Sequence, residues 1–173
     1  MNRTLRRLDL SENRVGADGA AELFAALAAN RTLATLLLRA NDVQGGVASL
    51  ESLRENSALT DIDVGHNGIR GEQVELMCGA LAVNKTLRKL NLQHNTLQAR
   101  GAVLIAVALT ANSALATVNL RGNALGAEGS AALAEALKVN SSLKELVLSE
   151  TDGIIETRCK HRDSKTLSLL PGL

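Results

Sequence analysis

The sequence predicts an α/β solenoid, a curved arc with a parallel β-sheet on its concave side and α-helices on its convex side. Three observations predict it. An asparagine recurs about every 28 residues, a leucine pattern of strand spacing precedes each asparagine, and an apolar pattern of helical spacing follows it. About five and a half such units of 28 residues fit into residues 1–150. Repeats of this length indicate stacked supersecondary units.

The recurring asparagines define the period. Their spacings are 28, 26, 28 and 28 residues, and they are Asn13, Asn41, Asn67, Asn95 and Asn123. The phrase L-x-x-L-x-L-x-x-N, with small apolar variations, ends at each of them. A sixth phrase opens at Leu143, but Thr151 stands where its asparagine is expected. We expect each asparagine amide to bond backbone groups of its own turn and of the next coil.

Each phrase predicts a short strand with one buried side. The second and third apolar residues lie two positions apart, so they face the same side of a strand. In the fourth unit these residues are Leu90 and Leu92. A strand with one apolar side must be covered, so each unit stacks on its neighbours. The remaining strand residues face the concave side.

A helix follows each asparagine, because the apolar period changes there from 2 to 3.6. After Asn67 the apolar positions are Val74, Met77, Cys78 and Leu81, the stripe of a helix with one buried face. A thiol on this stripe is a small, inert apolar group. The helix in each unit therefore covers the apolar side of the strands.

Helix boundaries are marked by glycine and asparagine. Gly16 and Gly126 open the turn into the first and fifth helices, where freedom from Cβ constraints is useful. The helices end at asparagines, residues that tolerate a left-handed cap, namely Asn30, Asn56, Asn84, Asn112 and Asn140. The second unit lacks two residues between Asn41 and Gly45, which predicts a shorter helix or a looser turn there.

These patterns resemble the leucine-rich repeat, and the resemblance covers residues 5–150. The long period and the full helix, G-x-x-x-L-x-x-x-L-x-x-N, resemble the ribonuclease-inhibitor-like subclass, as in the repeat regions of NOD-like receptors and the Ran GTPase-activating protein. The resemblance implies the solenoid fold. It implies little about the partner, because such proteins share a scaffold and differ in their exposed residues.

Both ends depart from the repeat. Residues 2–5 match the end of a unit, as in residues 84–87, so we expect the chain to start in mid-array as a fragment of a larger protein. Solenoids need polar caps, so uncapped ends allow self-association. Residues 151–173 are either a degenerate closing repeat or a loose C-terminal tail. Residues 164–170 resemble one more strand opening before Pro171.

Composition excludes several classes of function. A net charge of +1 supplies no dense basic face for nucleic acid, and no apolar run approaches the roughly 18 residues of a membrane span. The N-terminus lacks the apolar segment of a secretory signal. Two cysteines do not form a disulfide framework. We therefore expect a cytoplasmic protein that binds neither nucleic acid nor membrane.

The polar positions hold the candidates for catalytic and metal-binding residues. No Ser/His/Asp set has assignable roles, so we predict neither an enzyme nor a cofactor. His66 and His94 occupy the same place in adjacent units, where stacking puts them about 5 Å apart, with Asp61 and Asp63 nearby. Such ligands can begin a divalent-metal site. Other units carry Glu12, Ala40 and Gly122 at this place, so we predict no metal and interpret it as a solvated position.

The concave face is the predicted working surface, because we expect its residues to be free of packing constraints. We predict a non-enzymatic protein–protein interaction scaffold, a fragment of a cytosolic receptor or regulator. An alternative is a regulatory activator of a small GTPase. With no Trp or Tyr and one Phe, the aromatic anchors of tight interfaces are missing. The candidate partner-binding residues are Arg39, Asp61, Asp63, His66, Lys89, Asn91, His94, Asn119 and Arg121.

Overall fold

Seven short strands form one parallel sheet in which every strand pairs with the next along the chain. The computed structural model describes residues 2–149 and 166–170. Strand and helix alternate through residues 7–149, as the repeat pattern predicts. The strands are β1 (Arg7–Asp9), β2 (Thr35–Leu37), β3 (Asp61–Asp63), β4 (Lys89–Asn91), β5 (Thr117–Asn119), β6 (Glu145–Ser149) and β7 (Thr166–Leu170).

Helices connect the strands and form the second layer. Two of the connections contain 3₁₀ geometry, in the second and third coils. The helical segments are α1 (Gly16–Leu27), a 3₁₀ helix (Gln44–Arg54), a 3₁₀ turn (Gly71–Val74) that leads into α2 (Glu75–Val83), α3 (Gln98–Ala111) and α4 (Gly126–Val139). Parallel strands lie about 4.8 Å apart and helix axes about 8–10 Å apart. The sheet is therefore on the concave side of the arc.

The core lies between the two layers and is built from the repeated phrase. The middle residues of the strands stand in register, for example Leu36 with Ile62 and Ile62 with Leu90, and all three are buried. The helical stripe that follows Asn67 is buried as well, as predicted. Cys78 belongs to it, and burial raises the pKa of its thiol to about 12. This thiol is therefore protonated and unreactive at neutral pH.

The asparagines at the strand ends form a ladder through the solenoid. Asn95 Nδ2 donates to Leu92 O at 2.8 Å in its own turn and to Val64 O at 3.1 Å in the preceding coil. Its Oδ1 accepts from the backbone N–H groups of Asn67 and Ile69, both at 3.0 Å. The prediction that this amide bonds backbone is confirmed. The Nδ2 group reaches the preceding coil, whereas the sequence pattern predicted a bond to the following coil.

The asparagines that follow the helices do not adopt the predicted left-handed cap. Asn84 is extended, with φ −64° and ψ 137°. Its Nδ2 donates to Leu53 O at 2.7 Å in the preceding coil, and its Oδ1 accepts from Leu87 N at 2.8 Å. The extended backbone leads directly toward the next strand. These side-chain hydrogen bonds therefore satisfy backbone groups where the helix ends, which a left-handed residue does at other helix ends.

The second coil differs from its neighbours, as its missing residues suggest. Its helical segment, Gln44–Arg54, is a 3₁₀ helix of 11 residues against 14 in α3 and in α4, so the helix is shorter, as one of the two expectations had it, and its 3₁₀ form was not predicted. Gly46 lies directly against α1, where an added Cβ would collide with Ala17 O and Ala21 N. A 3₁₀ helix is thinner than an α-helix. This coil therefore packs closely against the first.

The ends of the array differ in what covers them. Leu5 is 44% exposed, whereas Leu87 at the same place of the fourth coil is fully buried, so the apolar edge of the first coil is open as predicted. Strand β7 pairs in parallel with β6, which agrees with the strand opening noted near Pro171. The rest of the predicted 151–173 segment, including Cys159, lies outside the described residues.

Candidate protein-binding surface

The strand register arranges the concave side chains in two rows. The first row holds the first residue of each strand. The other row holds the third residue of each strand and is called the third row. The first row reads Arg7, Thr35, Asp61, Lys89, Thr117 and Glu145, and the third row reads Asp9, Leu37, Asp63, Asn91, Asn119 and Val147. The nine predicted residues all lie on these rows or in the turns just after them, in the second to fifth coils.

One ion pair links neighbouring coils in the first row. Lys89 Nζ lies 3.7 Å from Asp61 Oδ1, and Thr60 Oγ1 donates to Asp61 Oδ2 at 2.6 Å. The pairing of Asp61 with Lys89 follows from their register. A binding partner must compete with this internal pair for either charge.

The third row has a structural role that the sequence analysis missed. Asp63 Oδ1 accepts from Gly65 N at 2.8 Å, and Asn91 Oδ1 accepts from Gln93 N at 3.0 Å. Asp9 and Asn119 make the same bond to the second residue after them. In these four coils the position is therefore constrained by its turn, whereas Leu37 and Val147 occupy it in the second and sixth coils. Asp and Asn form this turn readily with a short side-chain oxygen, and Ser and Thr form it more weakly.

The same side chains also bond across coils. Asn91 Nδ2 donates to Asp63 Oδ2 at 2.9 Å, and Asn119 Nδ2 donates to Gln93 Oε1 at 3.1 Å. Each amide thus uses its oxygen within its own turn and its nitrogen toward the preceding coil. The polar strip across the third to fifth coils is consequently held in a fixed arrangement.

The position just before each ladder asparagine has a left-handed backbone. His66 and His94 have φ values of 56° and 50° there. Their rings stack with centroids 4.4 Å apart, close to the separation expected from the sequence. On the far side of His94 lies Gly122, where an added Cβ would come within 2.7 Å of His94 Nδ1. The two rings therefore form a short column along the edge of the sheet.

Arg39 closes this column on the side of the second coil. Its Nη2 lies 3.4 Å from His66 Nε2, and its Nη1 lies 3.9 Å from Glu12 Oε1. Because a guanidinium only donates, His66 Nε2 accepts, which puts the proton of the neutral ring on Nδ1. Burial lowers the pKa of His66, and His94 and Arg39 lower it further, against an opposing effect of Asp63.

This geometry bears on the metal alternative. Arg39 occupies Nε2 of His66, so a cation there would meet a guanidinium instead of a free lone pair. Within residues 2–149 and 166–170, no three His, Cys, Asp or Glu side chains are grouped as metal ligands would be. The two imidazoles instead stack on each other. The column also explains why a residue as large as histidine fits at a left-handed position, where histidine is enriched.

No helix among the described residues is long and apolar enough to cross a bilayer.

Comparison with known proteins agrees with the fold. A family model described as "Leucine Rich repeat" matches residues 2–24, 83–106 and 111–134. A search of curated proteins finds no match, whereas 49 chains of solved structures match. One of them, titled "Leiomodin-1 Actin-Binding Site 2 (ABS2)", is 19% identical with a TM-score of 0.64, over 76% of this chain and 78% of that one. The chain therefore has the fold of a leucine-rich repeat solenoid, and three of its segments match the repeat model.

Proposed function

We propose that the chain is a non-enzymatic scaffold that binds another protein on its concave strand face. One observation carries this proposal: polar side chains from three adjacent coils form a single strip whose members are bonded across coils. Asn91 to Asp63 and Asn119 to Gln93 are such bonds. Side chains ordered before binding lose less conformational entropy when a partner arrives.

The chemistry of the strip indicates how it binds. Charges of both signs lie side by side, as in the Asp61–Lys89 pair. In the first and third rows of the concave face, the apolar residues are Leu37 and Val147. Electrostatic contacts of this kind set the rate and orientation of association more than its strength. We therefore expect affinity in the micromolar range or weaker, and we expect it to fall as salt rises.

The remaining parts of the proposal concern class and setting. Full α-helices in the first, fourth and fifth coils and the 28-residue period support the ribonuclease-inhibitor-like subclass. The buried, unreactive thiol of Cys78 suits a reducing, cytoplasmic setting. The related structure carries actin binding in its title, so actin is the first defined protein to test. The chain as a fragment of a larger receptor or regulator stays a prediction.

The test compares two acid-to-amide variants. Asp61→Asn/Asp63→Asn removes both carboxylates of β3 and keeps the turn bond at residue 63, which Asn91 and Asn119 also make with amides. Glu135→Gln removes one carboxylate from the exposed side of α4 and serves as the control. The immobilised proteins are used to capture partners from lysate and, separately, purified actin.

We expect proteins held by the wild type and by Glu135→Gln to be lost from the concave variant, with retention declining in high salt. Equal retention by all three, or equal loss from both variants, contradicts binding on the concave face. If a captured partner is a small GTPase, its rate of GTP hydrolysis with and without the chain separates a scaffold from an activator.

A further inference from the structure

Arg39 is a cation whose capacity for hydrogen bonds is only partly used. Its Nη2 faces the acceptor nitrogen of His66 at 3.4 Å, and its Nη1 lies 3.9 Å from Glu12 Oε1. Its Nε is buried and has no hydrogen-bond partner within residues 2–149 and 166–170. A guanidinium offers five donors in a planar fork that matches a carboxylate. Because 43% of the Arg39 side chain is exposed, an acceptor from another protein can reach it.

The acid whose charge acts on His66 does not supply that acceptor. Asp63 Oδ1 accepts from Gly65 N at 2.8 Å, and its Oδ2 accepts from Asn91 Nδ2 at 2.9 Å, so both oxygens are engaged. In the third coil Gly65 holds the position that Arg39 holds in the second, so no side chain from that position covers the guanidinium. The edge around Arg39 is therefore short of acceptors.

His66 can change from an acceptor to a donor at the atom that faces Arg39. In the neutral ring Nδ1 carries the proton, so a second proton, taken up from water, goes onto Nε2. His66 Nε2 and Arg39 Nη2 are then two donors 3.4 Å apart, and they repel each other unless an anion accepts from both. A carboxylate has two oxygens that can accept at the same time.

We propose that Arg39 and His66 form a binding site for a carboxylate of the partner, an aspartate or glutamate side chain, and that His66 takes up one proton as it binds. This inference rests on the proposed function, because it names the chemistry of a partner on the same concave face. The stacking of His94 on His66, with centroids 4.4 Å apart, limits the uptake to one proton, since two charged rings at that distance are unfavourable.

The site links partner binding to pH. In the free chain, burial, His94 and Arg39 lower the pKa of His66 against the effect of Asp63, so the ring is neutral at pH 7. A bound carboxylate favours the charged ring and raises this pKa. Affinity therefore increases as the pH falls from the bound-state pKa to the free-state pKa, by at most about tenfold per pH unit for one proton.

The probe for this site is an acetylated tetraglutamate amide, with the tetraglutamine peptide as its neutral counterpart. Binding is followed by NMR of the His66 ring and by calorimetry in two buffers of different ionisation enthalpy, which counts the protons taken up. We expect tetraglutamate to bind about three- to tenfold more tightly at pH 6.0 than at pH 7.5, with net proton uptake. Its carboxylates stay ionised at both, since glutamate has a pKa of about 4.3.

Two variants remove one donor each. Arg39→Gln should weaken tetraglutamate binding at both pH values. His66→Asn keeps a residue that tolerates the left-handed backbone, and it should abolish the proton uptake and the pH dependence while Arg39 still binds. Arg100→Gln is the matched control, because Arg100 lies on α3 with a side chain that is 65% exposed, near Glu75. It removes the same charge away from the concave face and should change nothing.

Several results would overturn the site. They are an unshifted His66 ring at millimolar tetraglutamate, equal binding of the two peptides, equal affinity at the two pH values, and equal weakening by Arg39→Gln and Arg100→Gln. A partner that is lost from Asp61→Asn/Asp63→Asn, yet is captured equally by wild type and Arg39→Gln, overturns this inference and leaves the scaffold standing. Tetraglutamate binding without any concave-face partner supports the site and counts against the proposed function.

Discussion

The first and fourth coils contain nearly the same phrase in two different environments. Residues 2–5 read Asn-Arg-Thr-Leu and residues 84–87 read Asn-Lys-Thr-Leu. Asn2 Oδ1 accepts from Leu5 N at 2.7 Å, and Asn84 Oδ1 accepts from Leu87 N at 2.8 Å. The turn is thus the same in both coils, so its geometry is encoded within the phrase.

The two coils differ in how deeply this asparagine is buried. Asn84 also donates to Leu53 O and Asn56 O of the preceding coil, and it is buried, whereas Asn2 is exposed. The same contrast holds at the strand ends, where Asn95 is buried and Asn13 is exposed. Local structure therefore comes from the phrase, and its contribution to stability comes from the coil stacked against it, as expected for a solenoid.

The largest expected effect is a leucine truncation made in both coils. Leu92 is fully buried, and Leu10 at the same place in the first coil is only partly buried. We expect Leu92→Ala to lower the free energy of unfolding by about 2–5 kcal/mol and Leu10→Ala to lower it by clearly less. Urea unfolding monitored by circular dichroism measures both. Equal losses of stability would contradict the conclusion that the stacked coil determines how much each leucine contributes.

The ladder asparagines give the second comparison. Asn95→Ala leaves the N–H groups of Asn67 and Ile69 and the carbonyl of Val64 without their side-chain partner. We expect a loss of about 1–3 kcal/mol in the free energy of unfolding. In Asn13→Ala the lost bonds go to Leu10 O and Ser11 O within an exposed turn, so the loss should be smaller. A larger loss at Asn13 contradicts the neighbour-coil account.

Much of the fold was predictable because each repeat contains the same spacing of strand, turn and helix residues. The buried pairs such as Leu90 and Leu92, the glycine at the start of α1 and the ladder of asparagines all follow from spacing and side-chain chemistry. The predicted left-handed caps were wrong because asparagine satisfies a turn in more than one way. Sequence alone does not say which neighbouring coil its amide will reach.

The candidate surface was predictable in position and less so in detail. Register alone places Asp61 beside Lys89. The left-handed position before each asparagine is not visible in the sequence, because Glu12, Ala40 and Gly122 share no property with the histidines there. The left-handed backbone at this position is set by the hydrogen bonds of the residues on either side of it.

The third comparison uses pH at that left-handed position. The folded-state pKa of His66 is lowered, so the unfolded chain, with a histidine pKa of about 6.5, binds the proton more readily. The stability due to the neutral ring is present above that value and is lost as the pH falls through it toward the folded-state pKa. We expect wild type to unfold at lower urea concentration at pH 5.5 than at pH 7.5.

His66→Asn should weaken that pH dependence, since asparagine tolerates the left-handed backbone and does not titrate. Glu12→Asn is the control in the first coil, where the residue has φ 59° and stands outside the His66–His94 column. An NMR titration of wild type should give a His66 pKa below its ordinary value. A His66 pKa above it, or a pH dependence unchanged in His66→Asn, contradicts the stacked, desolvated ring.

The smallest expected effect compares an ion pair between coils with one inside a coil. Lys89 and Asp61 join two strands at 3.7 Å, whereas Arg7 and Asp9 belong to one strand, with Arg7 Nη2 3.1 Å from Asp9 Oδ2. Exposed pairs contribute about 0–1 kcal/mol, so we expect the Lys89→Met/Asp61→Asn double-mutant cycle to give a coupling in that range, which declines with salt. The pair inside the first coil should couple less despite its shorter distance, because its carboxylate is more open to water, with 46% of the Asp9 side chain exposed against 31% for Asp61. In addition, the pKa of Asp9 is lowered first by its hydrogen bonds from Ser11 and only then by Arg7. A stronger coupling in the first coil would show that distance, and not the stacking of coils, governs these charges.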